Sequence, residues 1–344
     1  MNWKNLKILG RYWILPDALW LSSSASEISF RFRAKSGVTI RLLGDESAGV
    51  QEDERAWARY ETYLNGKSVE QGRMDSPRKT VFVNAGEGEI RFVKLSESQD
   101  SSLGVECVEL DGEIEPLPEK RLKIEFVGDS ITCGYGVEGS LDESYTTATE
   151  NAEKAYACLT AKALDADACL VSFSGFGILS GYTGDGAINT ESLLPPYYDR
   201  VGVCGRALAN GARVQDESWD FSCFVPDAVV VNLGTNDMSY CLDDGEKKQT
   251  FRRKYAAFLK TVRRAHPGAR ILCALGAMGT SLCPYMERAV ADFIAETGDT
   301  RVRALALNDQ RAEDGYGTDY HPSEKTHRMI AETVTEALRA WMKE

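Results

Sequence analysis

Residues 122–131 of the chain read LKIEFVGDSI, an apolar run that ends in Gly128-Asp129-Ser130. A short and almost continuously apolar run that stops at a turn residue is typical of a β-strand buried on both faces. Further runs of this kind lie at residues 168–173, 228–233, 271–275 and 302–307. Since strands buried on both faces belong mostly to parallel sheets, the five runs predict a parallel sheet.

Longer amphipathic segments lie between and after these runs. They occupy residues 152–163, 249–265, 285–296 and 323–343, and their apolar residues recur at the spacing of one helix face. Strands and helices therefore alternate along this part of the chain. That order predicts an α/β fold in which helices cover both faces of the sheet.

Residues 1–118 carry a different pattern, in which apolar and polar residues alternate, as in EISFRFR at 27–33. Alternation with a period of two is typical of strands with one buried face. Similar runs occur at 38–43, 59–64, 80–84 and 89–95, and the turn residues Ser36-Gly37, Asn65-Gly66 and Gly86-Glu87-Gly88 lie between runs. The sequence therefore predicts two domains, an all-β sandwich over 1–118 and the α/β domain over 119–344. Prolines and charges at 111–120 predict a linker.

Composition restricts the function classes. The 344 residues are 43% hydrophobic and 27% charged, as in globular proteins, and the net charge of −12 disfavours nucleic acid and anionic membranes as partners. Nine cysteines, an odd number without a C-x-x-C pair, indicate free thiols in a reducing compartment. The first residues lack the pattern of a signal peptide, and no run is long enough to span a membrane, so we expect a cytoplasmic protein.

Four polar segments follow predicted strands, at the edge where open parallel sheets bind their ligands. They are Gly128-Asp129-Ser130-Ile131, Ser174-Gly175-Phe176-Gly177, Gly234-Thr235-Asn236-Asp237 and, after the last strand and its loop, Asp319-Tyr320-His321-Pro322. We expect all four to meet at one edge.

A serine hydroxyl becomes a good nucleophile when a base such as histidine lies within hydrogen-bonding distance. The chain has three histidines; His266 falls at the opposite edge of the predicted sheet and His327 inside the last helix. His321 remains as the base for Ser130. Asp319, on the same loop, can accept the Nδ1 proton of His321, which predicts a Ser-His-Asp triad.

The attack of a serine on an ester creates an oxyanion that needs hydrogen-bond donors fixed in advance. Candidate donors are the backbone N–H groups of Ser130 and Gly175 and the side-chain amide of Asn236. Asp129 and Asp237 are interpreted as structural residues that bind loop amides.

The same segments resemble those of the SGNH, or GDSL-type, hydrolases. The strings GDSITCGYG at 128–136, TEN at 149–151, PPYYDR at 195–200, WDF at 219–221 and DYHPS at 319–323 are similar to carbohydrate esterase family 2, the acetyl xylan esterases and their relatives. The resemblance covers nearly the whole chain. It implies a jelly-roll domain ahead of a three-layer α/β/α hydrolase domain with a flavodoxin-like sheet, and an esterase that removes O-acetyl groups from sugars through an acyl-enzyme.

The predicted partner is an acetylated carbohydrate. Tyr320, which some relatives replace by tryptophan, can stack on a sugar face, and Trp219, Tyr197 and Tyr198 are further predicted sugar contacts. No cofactor and no metal are expected. The sugar, the acyl-chain limit and assembly into a homo-oligomer stay open.

Parts of the sequence fit four other functions less well. Residues 134–139 match G-x-G-x-x-G, but a polar loop follows where a dinucleotide-binding enzyme needs a helix. A metal-dependent deacetylase needs clustered ligands, whereas His321 and His327 do not share a helix face. A non-catalytic carbohydrate-binding protein has no reason to keep a complete reactive set. A short-chain lipase or thioesterase would use the same chemistry and differ only in its pocket.

Overall fold

The computed structural model describes residues 3–344, and in that range the chain forms fourteen β-strands and six α-helices. The strands of the N-terminal domain are β1 (Lys7–Leu9), β2 (Tyr12–Ile14), β3 (Leu19–Leu21), β4 (Glu27–Gly44), β5 (Arg59–Leu64), β6 (Lys67–Arg73), β7 (Arg78–Val83), β8 (Glu87–Lys94) and β9 (Leu103–Pro116).

The C-terminal domain alternates strands and helices. Its elements are β10 (Leu122–Gly128), α1 (Ser130–Cys133), α2 (Tyr156–Ala163), β11 (Ala166–Ser172), β12 (Ala228–Asn232), α3 (Thr235–Cys241), α4 (Gly245–Ala265), β13 (Arg270–Ala277), α5 (Cys283–Thr297), β14 (Val302–Asp309) and α6 (Glu324–Trp341). None of the helices in residues 3–344 is both long and apolar enough to cross a membrane.

The N-terminal domain is an antiparallel sheet of nine strands, which confirms the all-β prediction. Two long strands, β4 and β9, pair with each other. Strands β1, β7 and β8 also pair with β4, and β3 pairs with β9. Alternate residues of β4, such as Phe30 and Ile40, are buried in one core together with Leu19 of β3 and Phe92 of β8. The sheet therefore folds around a single apolar core.

Two sequence predictions about this domain were wrong in detail. Ser36-Gly37 is not a turn between two strands, because β4 continues through it, with a bulge between Ala34 and Val38 and φ of +99° at Gly37. The predicted linker at 111–120 is too long, because β9 extends to Pro116. Most side chains of that half of β9 are exposed or half-buried, so its sequence lacks the apolar alternation of a strand.

The C-terminal domain has a five-stranded parallel sheet with the order β11-β10-β12-β13-β14, which confirms the α/β prediction. Consecutive residues of each strand face opposite layers. Val229 and Val231 pack with α4 and α5, whereas Ala228 and Val230 pack with α2 and α6. The strands after β10 are added first on one side of it (β11) and then on the other (β12 to β14), so the order of strand addition switches between β10 and β12. Open parallel sheets bind ligands at such a switch point.

Residues 173–227, between β11 and β12, form a long loop with only short 3₁₀ turns. The loop packs against the N-terminal domain: Val214 and Trp219 of the loop share one buried cluster with Trp20 and Leu43. The two domains are therefore joined by an apolar interface as well as by residues 117–121.

A buried charged network crosses this interface. The Arg11 guanidinium donates to the backbone carbonyls of Tyr198 and Arg200 and lies 3.7 Å from Glu125 of β10. Glu125 also accepts from the Tyr198 hydroxyl at 2.6 Å and contacts His266 Nε2 at 3.1 Å. Burial alone would raise the pKa of Glu125, but the contacts with His266, Arg11 and Tyr198 hold it below the usual value. The buried Glu125 carboxylate is therefore stabilised by His266 and Tyr198 of its own domain and by Arg11 of the N-terminal domain.

We expect Arg11→Met to destabilise the protein by about 3–5 kcal/mol, because the Glu125 charge would lose a buried cationic neighbour and the carbonyls of Tyr198 and Arg200 would lose their donor. Urea denaturation followed by circular dichroism measures the change. The control is Arg31→Met, which removes exposed ion pairs with Glu89 and Glu115 and should leave the midpoint unchanged. Equal midpoints for wild type and Arg11→Met would contradict the prediction.

Candidate active site

Ser130 is the first residue of α1 and is separated from the end of β10 by Asp129 alone. Asp129 caps this short helix, since its Oδ1 accepts the Ile131 N–H at 3.1 Å. Gly128 leaves no room for a side chain, because a Cβ there would lie 2.0 Å from Thr132 Oγ1. The chain can therefore turn sharply and present the Ser130 hydroxyl at the carboxyl edge of the sheet.

The structure brings Ser130 and His321 into direct contact. His321 Nε2 lies 2.9 Å from Ser130 Oγ, and His321 Nδ1 lies 3.1 Å from the Thr318 carbonyl oxygen. A carbonyl oxygen can only accept a hydrogen bond, so the contact with Thr318 requires that the proton of the neutral imidazole is on Nδ1. Nε2 is then free to accept the Ser130 proton. This geometry allows His321 to take the proton of the Ser130 hydroxyl.

The predicted contact between Asp319 and His321 is not formed in the structure. Asp319 Oδ2 accepts the Tyr135 hydroxyl at 2.7 Å instead. The cause lies in the backbone, because Asp319 and Tyr320 both have positive φ, +53° and +62°. This conformation places the Thr318 carbonyl at Nδ1, while the Asp319 side chain lies toward Tyr135.

An aromatic stack that the sequence analysis missed supports the imidazole. The centroid of the Tyr135 ring lies 4.2 Å from that of the His321 ring. The Tyr145 ring stacks on Tyr135, with 3.8 Å between the centroids and 7° between the ring planes. The Tyr145 hydroxyl is anchored to Asp100 and Glu150. Nothing local in the sequence links these tyrosines, since residues 136–144 between them form no regular element.

Two of the three predicted oxyanion donors are available. The backbone N–H groups of Ser130 and Gly175 donate no hydrogen bond to any other group in residues 3–344. Gly175 has φ of +80°, and a Cβ at this position would meet nothing within 4 Å, so the space in front of it is open. The side-chain amide of Asn236 reaches the same edge but donates to Phe176 O at 2.8 Å and lies 3.4 Å from Asp129 Oδ2.

Asp237 has the structural role that the sequence predicted. Its buried carboxylate accepts the backbone N–H groups of Ile178, Leu179 and Ser180 and so holds the loop that carries Gly175. Burial raises the pKa of Asp237 to about 6 and that of Asp129 to about 7. Both carboxyl groups are buried beneath the site and stabilise its loops through hydrogen bonds to backbone N–H groups.

The predicted sugar contacts divide into two groups. Tyr320 is 61% exposed beside His321, and Tyr197 is half-buried, with its ring 6.0 Å from that of Phe176. The prediction was wrong for Trp219 and Tyr198, because both are buried. Trp219 packs between Tyr12 and Arg11 at the domain interface, and the Tyr198 hydroxyl binds Glu125.

Tyr182 is an exposed aromatic residue at the site that the sequence analysis did not identify. Its backbone N–H donates to the Gly175 carbonyl at 2.8 Å, and its side chain is 63% exposed. The loop containing it has no strand or helix pattern, so only the contact with Gly175 reveals its position. Tyr182 and Tyr320 are thus exposed rings next to the loop that carries Gly175 and the loop that carries His321.

Within residues 3–344, one group of side chains has the spacing of metal ligands. The ligand atoms of Glu97, Cys133 and Glu150 lie within 4.8 Å of one another, and all three residues are buried. Burial raises the pKa of each of these groups, so a cation would have to displace their protons.

Sequence comparison places the chain among known hydrolases. Residues 126–329 match the GDSL-like Lipase/Acylhydrolase family. The chain is 32% identical over 336 residues to the cellulase/esterase CelE of Acetivibrio thermocellus, covering 94% of this chain and 37% of that protein. It is 29% identical over 346 residues to an acetylxylan esterase / glucomannan deacetylase of Cellvibrio japonicus, covering 98% and 89%. The chain therefore spans little more than a third of CelE but most of the second relative.

Structure comparison gives the same result. A family two carbohydrate esterase from Clostridium thermocellum, solved in complex with cellohexaose, superposes with a TM-score of 0.83 and 28% identity. The match covers 98% of this chain and 99% of that one, so it includes both domains.

The histidines give a direct test of the site. Burial lowers the pKa of His321 below 6.5, although contacts with Thr318 and Asp319 oppose this, and burial lowers the pKa of His327 to about 3. A buried ring disfavours the imidazolium, so protonation needs a lower pH. In an NMR titration of the three imidazoles, we expect the His321 signal, assigned with His321→Gln, to titrate below pH 6.5. In urea the His321 signal should titrate near 6.5, and a folded-state midpoint above that value would contradict the buried site.

Proposed function

Since the chain belongs to the GDSL-like lipase/acylhydrolase family and to family 2 of the carbohydrate esterases, which are carboxylic ester hydrolases, we propose that it removes O-acetyl groups from sugars or oligosaccharides. The observation that carries the proposal is the 2.9 Å contact between Ser130 Oγ and His321 Nε2 at the carboxyl edge of the parallel sheet. The reaction is transfer of an acetyl group from a sugar oxygen to water.

In the proposed mechanism Ser130 Oγ attacks the acetyl carbonyl carbon while His321 Nε2 takes the hydroxyl proton. The resulting oxyanion accepts the N–H groups of Ser130 and Gly175, which have no other partner in residues 3–344. His321 then gives its proton to the sugar oxygen as the C–O bond breaks, which leaves acetyl-Ser130. Water, deprotonated by His321, hydrolyses this acyl-enzyme and restores the serine.

The Thr318 carbonyl orients the imidazole in this mechanism, because it accepts Nδ1–H at 3.1 Å. Asp319 assists by charge, since its carboxylate favours the imidazolium without contacting the ring in this structure. The proposed Ser-His-Asp set therefore acts as a hydrogen-bonded pair with a nearby carboxylate.

We propose a neutral, acetylated β-linked oligosaccharide as the substrate class. The similar protein of Cellvibrio japonicus is named an acetylxylan esterase / glucomannan deacetylase, and the Clostridium thermocellum esterase was solved with cellohexaose. The exposed rings of Tyr320 and Tyr182 offer flat faces on which pyranose rings can stack. The net charge of −12 favours neutral over acidic sugar chains.

We propose that the protein is cytoplasmic. All nine cysteines are free thiols, and seven of them are buried, which supports a reducing compartment. There the substrate would be an imported acetylated oligosaccharide rather than the polymer.

We expect Ser130→Ala to lower kcat for acetate release by about 10³-fold or more, because the nucleophile is lost. The assay measures acetate from acetylated xylo-, gluco- and manno-oligosaccharides, with p-nitrophenyl acetate and longer acyl esters for comparison. Ser140→Ala, in an exposed loop, is the matched control and should keep wild-type activity. Undiminished release by Ser130→Ala would refute the assignment, and preference for long acyl chains would favour a lipase.

Asp319→Asn separates the two ways in which this carboxylate can act. We expect kcat to fall by about tenfold, since only a charge effect is lost, whereas loss of a hydrogen-bonded triad aspartate costs about 10⁴-fold. Tyr135→Phe, which removes the hydroxyl bound to Asp319, provides the comparison and should cause a change of similar size or smaller. A 10⁴-fold loss in Asp319→Asn would mean that Asp319 binds Nδ1 during turnover.

A further inference from the structure

The N-terminal domain sends one carboxyl side chain into the loop that carries Gly175. Glu97 lies in the segment after β8 and is fully enclosed. Its Oε2 accepts the backbone N–H of Ser174 at 2.7 Å, across the domain interface. The acceptor is thus one residue away from the N–H assigned to the oxyanion.

The loop around Ser174 is a tight turn whose central peptide can face two ways. Phe176 N–H donates to Phe173 O at 3.2 Å, and Gly175 at φ of +80° has the third position of a type II turn. Glycine also tolerates the type I form, in which the Ser174–Gly175 peptide is reversed. The turn therefore needs outside contacts to hold the Gly175 N–H toward the substrate.

Those contacts lie on both sides of the central peptide. Before it, Ser174 N–H is held by Glu97; after it, the Gly175 carbonyl accepts Tyr182 N–H at 2.8 Å. Between them the Gly175 N–H has no partner within the described range 3–344. The pattern leaves one donor available for an oxyanion.

Glu97 is itself held firmly. Its backbone N–H donates to Glu150 Oε2 at 3.1 Å, and its carbonyl accepts a hydrogen bond from Nζ of the buried Lys94 at 3.0 Å. Tyr145 O–H lies 2.6 Å from Asp100 Oδ2 and 2.8 Å from Glu150 Oε2, and a phenol has one proton to donate. One of these carboxyls must therefore hold a proton of its own.

The charge of Glu97 is not what the contact needs. Burial raises the pKa of Glu97 well above its usual value, and the nearby Asp100 carboxyl adds to this effect. A carboxyl oxygen accepts an N–H whether the group is ionised or neutral, so its position decides the contact. An uncharged side chain of the same length can then replace it.

On the basis of the proposed esterase function, we propose that Glu97 is a positioning residue for the oxyanion loop, contributed by the N-terminal domain. It holds Ser174 N–H so that the next amide, Gly175 N–H, faces the oxyanion. Because the oxyanion forms only during the reaction and is absent from the bound substrate, misplacing this donor lowers kcat and leaves KM nearly unchanged.

The test compares Glu97→Gln, which keeps the length and an acceptor oxygen, with Glu97→Asp, which keeps the carboxylate but is one methylene shorter. We expect kcat of Glu97→Gln within about threefold of wild type, and kcat of Glu97→Asp and Glu97→Ala lower by about 10- to 100-fold, with KM within about threefold. Kinetics use p-nitrophenyl acetate and an acetylated oligosaccharide, and thermal unfolding checks that each variant is folded.

Wild-type kcat in Glu97→Asp and Glu97→Ala would overturn the proposal, and so would a loss in Glu97→Gln as large as that in Glu97→Asp. An inactive wild-type enzyme would instead reject the proposed esterase function. If the shorter variants do not fold, amide exchange in the wild type still decides the matter. Ser174 N–H should exchange much more slowly than Gly175 N–H, and equal rates would overturn the proposal.

Discussion

The contact between Ser130 and His321 joins residues 191 positions apart, so it exists only while two distant loops are held at one edge of the sheet. The parallel arrangement of β10 to β14 supplies that constraint, because all five strands end at the same edge. Gly128 lets the chain turn at once from strand into helix, which places the hydroxyl at this edge. The other residues of the site stabilise the two loops in the positions that the sheet gives them.

Much of this arrangement could be predicted from the sequence, because strands buried on both faces leave continuous apolar runs. The five runs and the polar residues after them located Ser130, Gly175 and His321. The contact of Asp319 could not be predicted, since it depends on positive φ at two non-glycine residues. Sequence neighbours can share a face without sharing a hydrogen bond.

The errors at Trp219 and Tyr198 have a different cause. An aromatic residue near predicted site segments looks the same in sequence whether it is exposed or buried between domains. Here residues 173–227 pack against the N-terminal domain and bury both rings. Burial of this kind depends on how the two domains associate. It cannot be predicted from the hydrophobic periodicity or the composition of either domain alone. The exposed half of β9 was mistaken for a linker for a similar reason, since few of its side chains enter the core.

The backbone at Asp319 and Tyr320 has a consequence for engineering. Each non-glycine residue in the left-handed region costs about 1–2 kcal/mol, and these two are adjacent. Glycine at either position would relieve that cost in the folded state, yet it would also widen the range of conformations open to the loop that carries His321. Substitutions in this segment that raise the stability of the protein should therefore tend to lower its turnover, and the reverse.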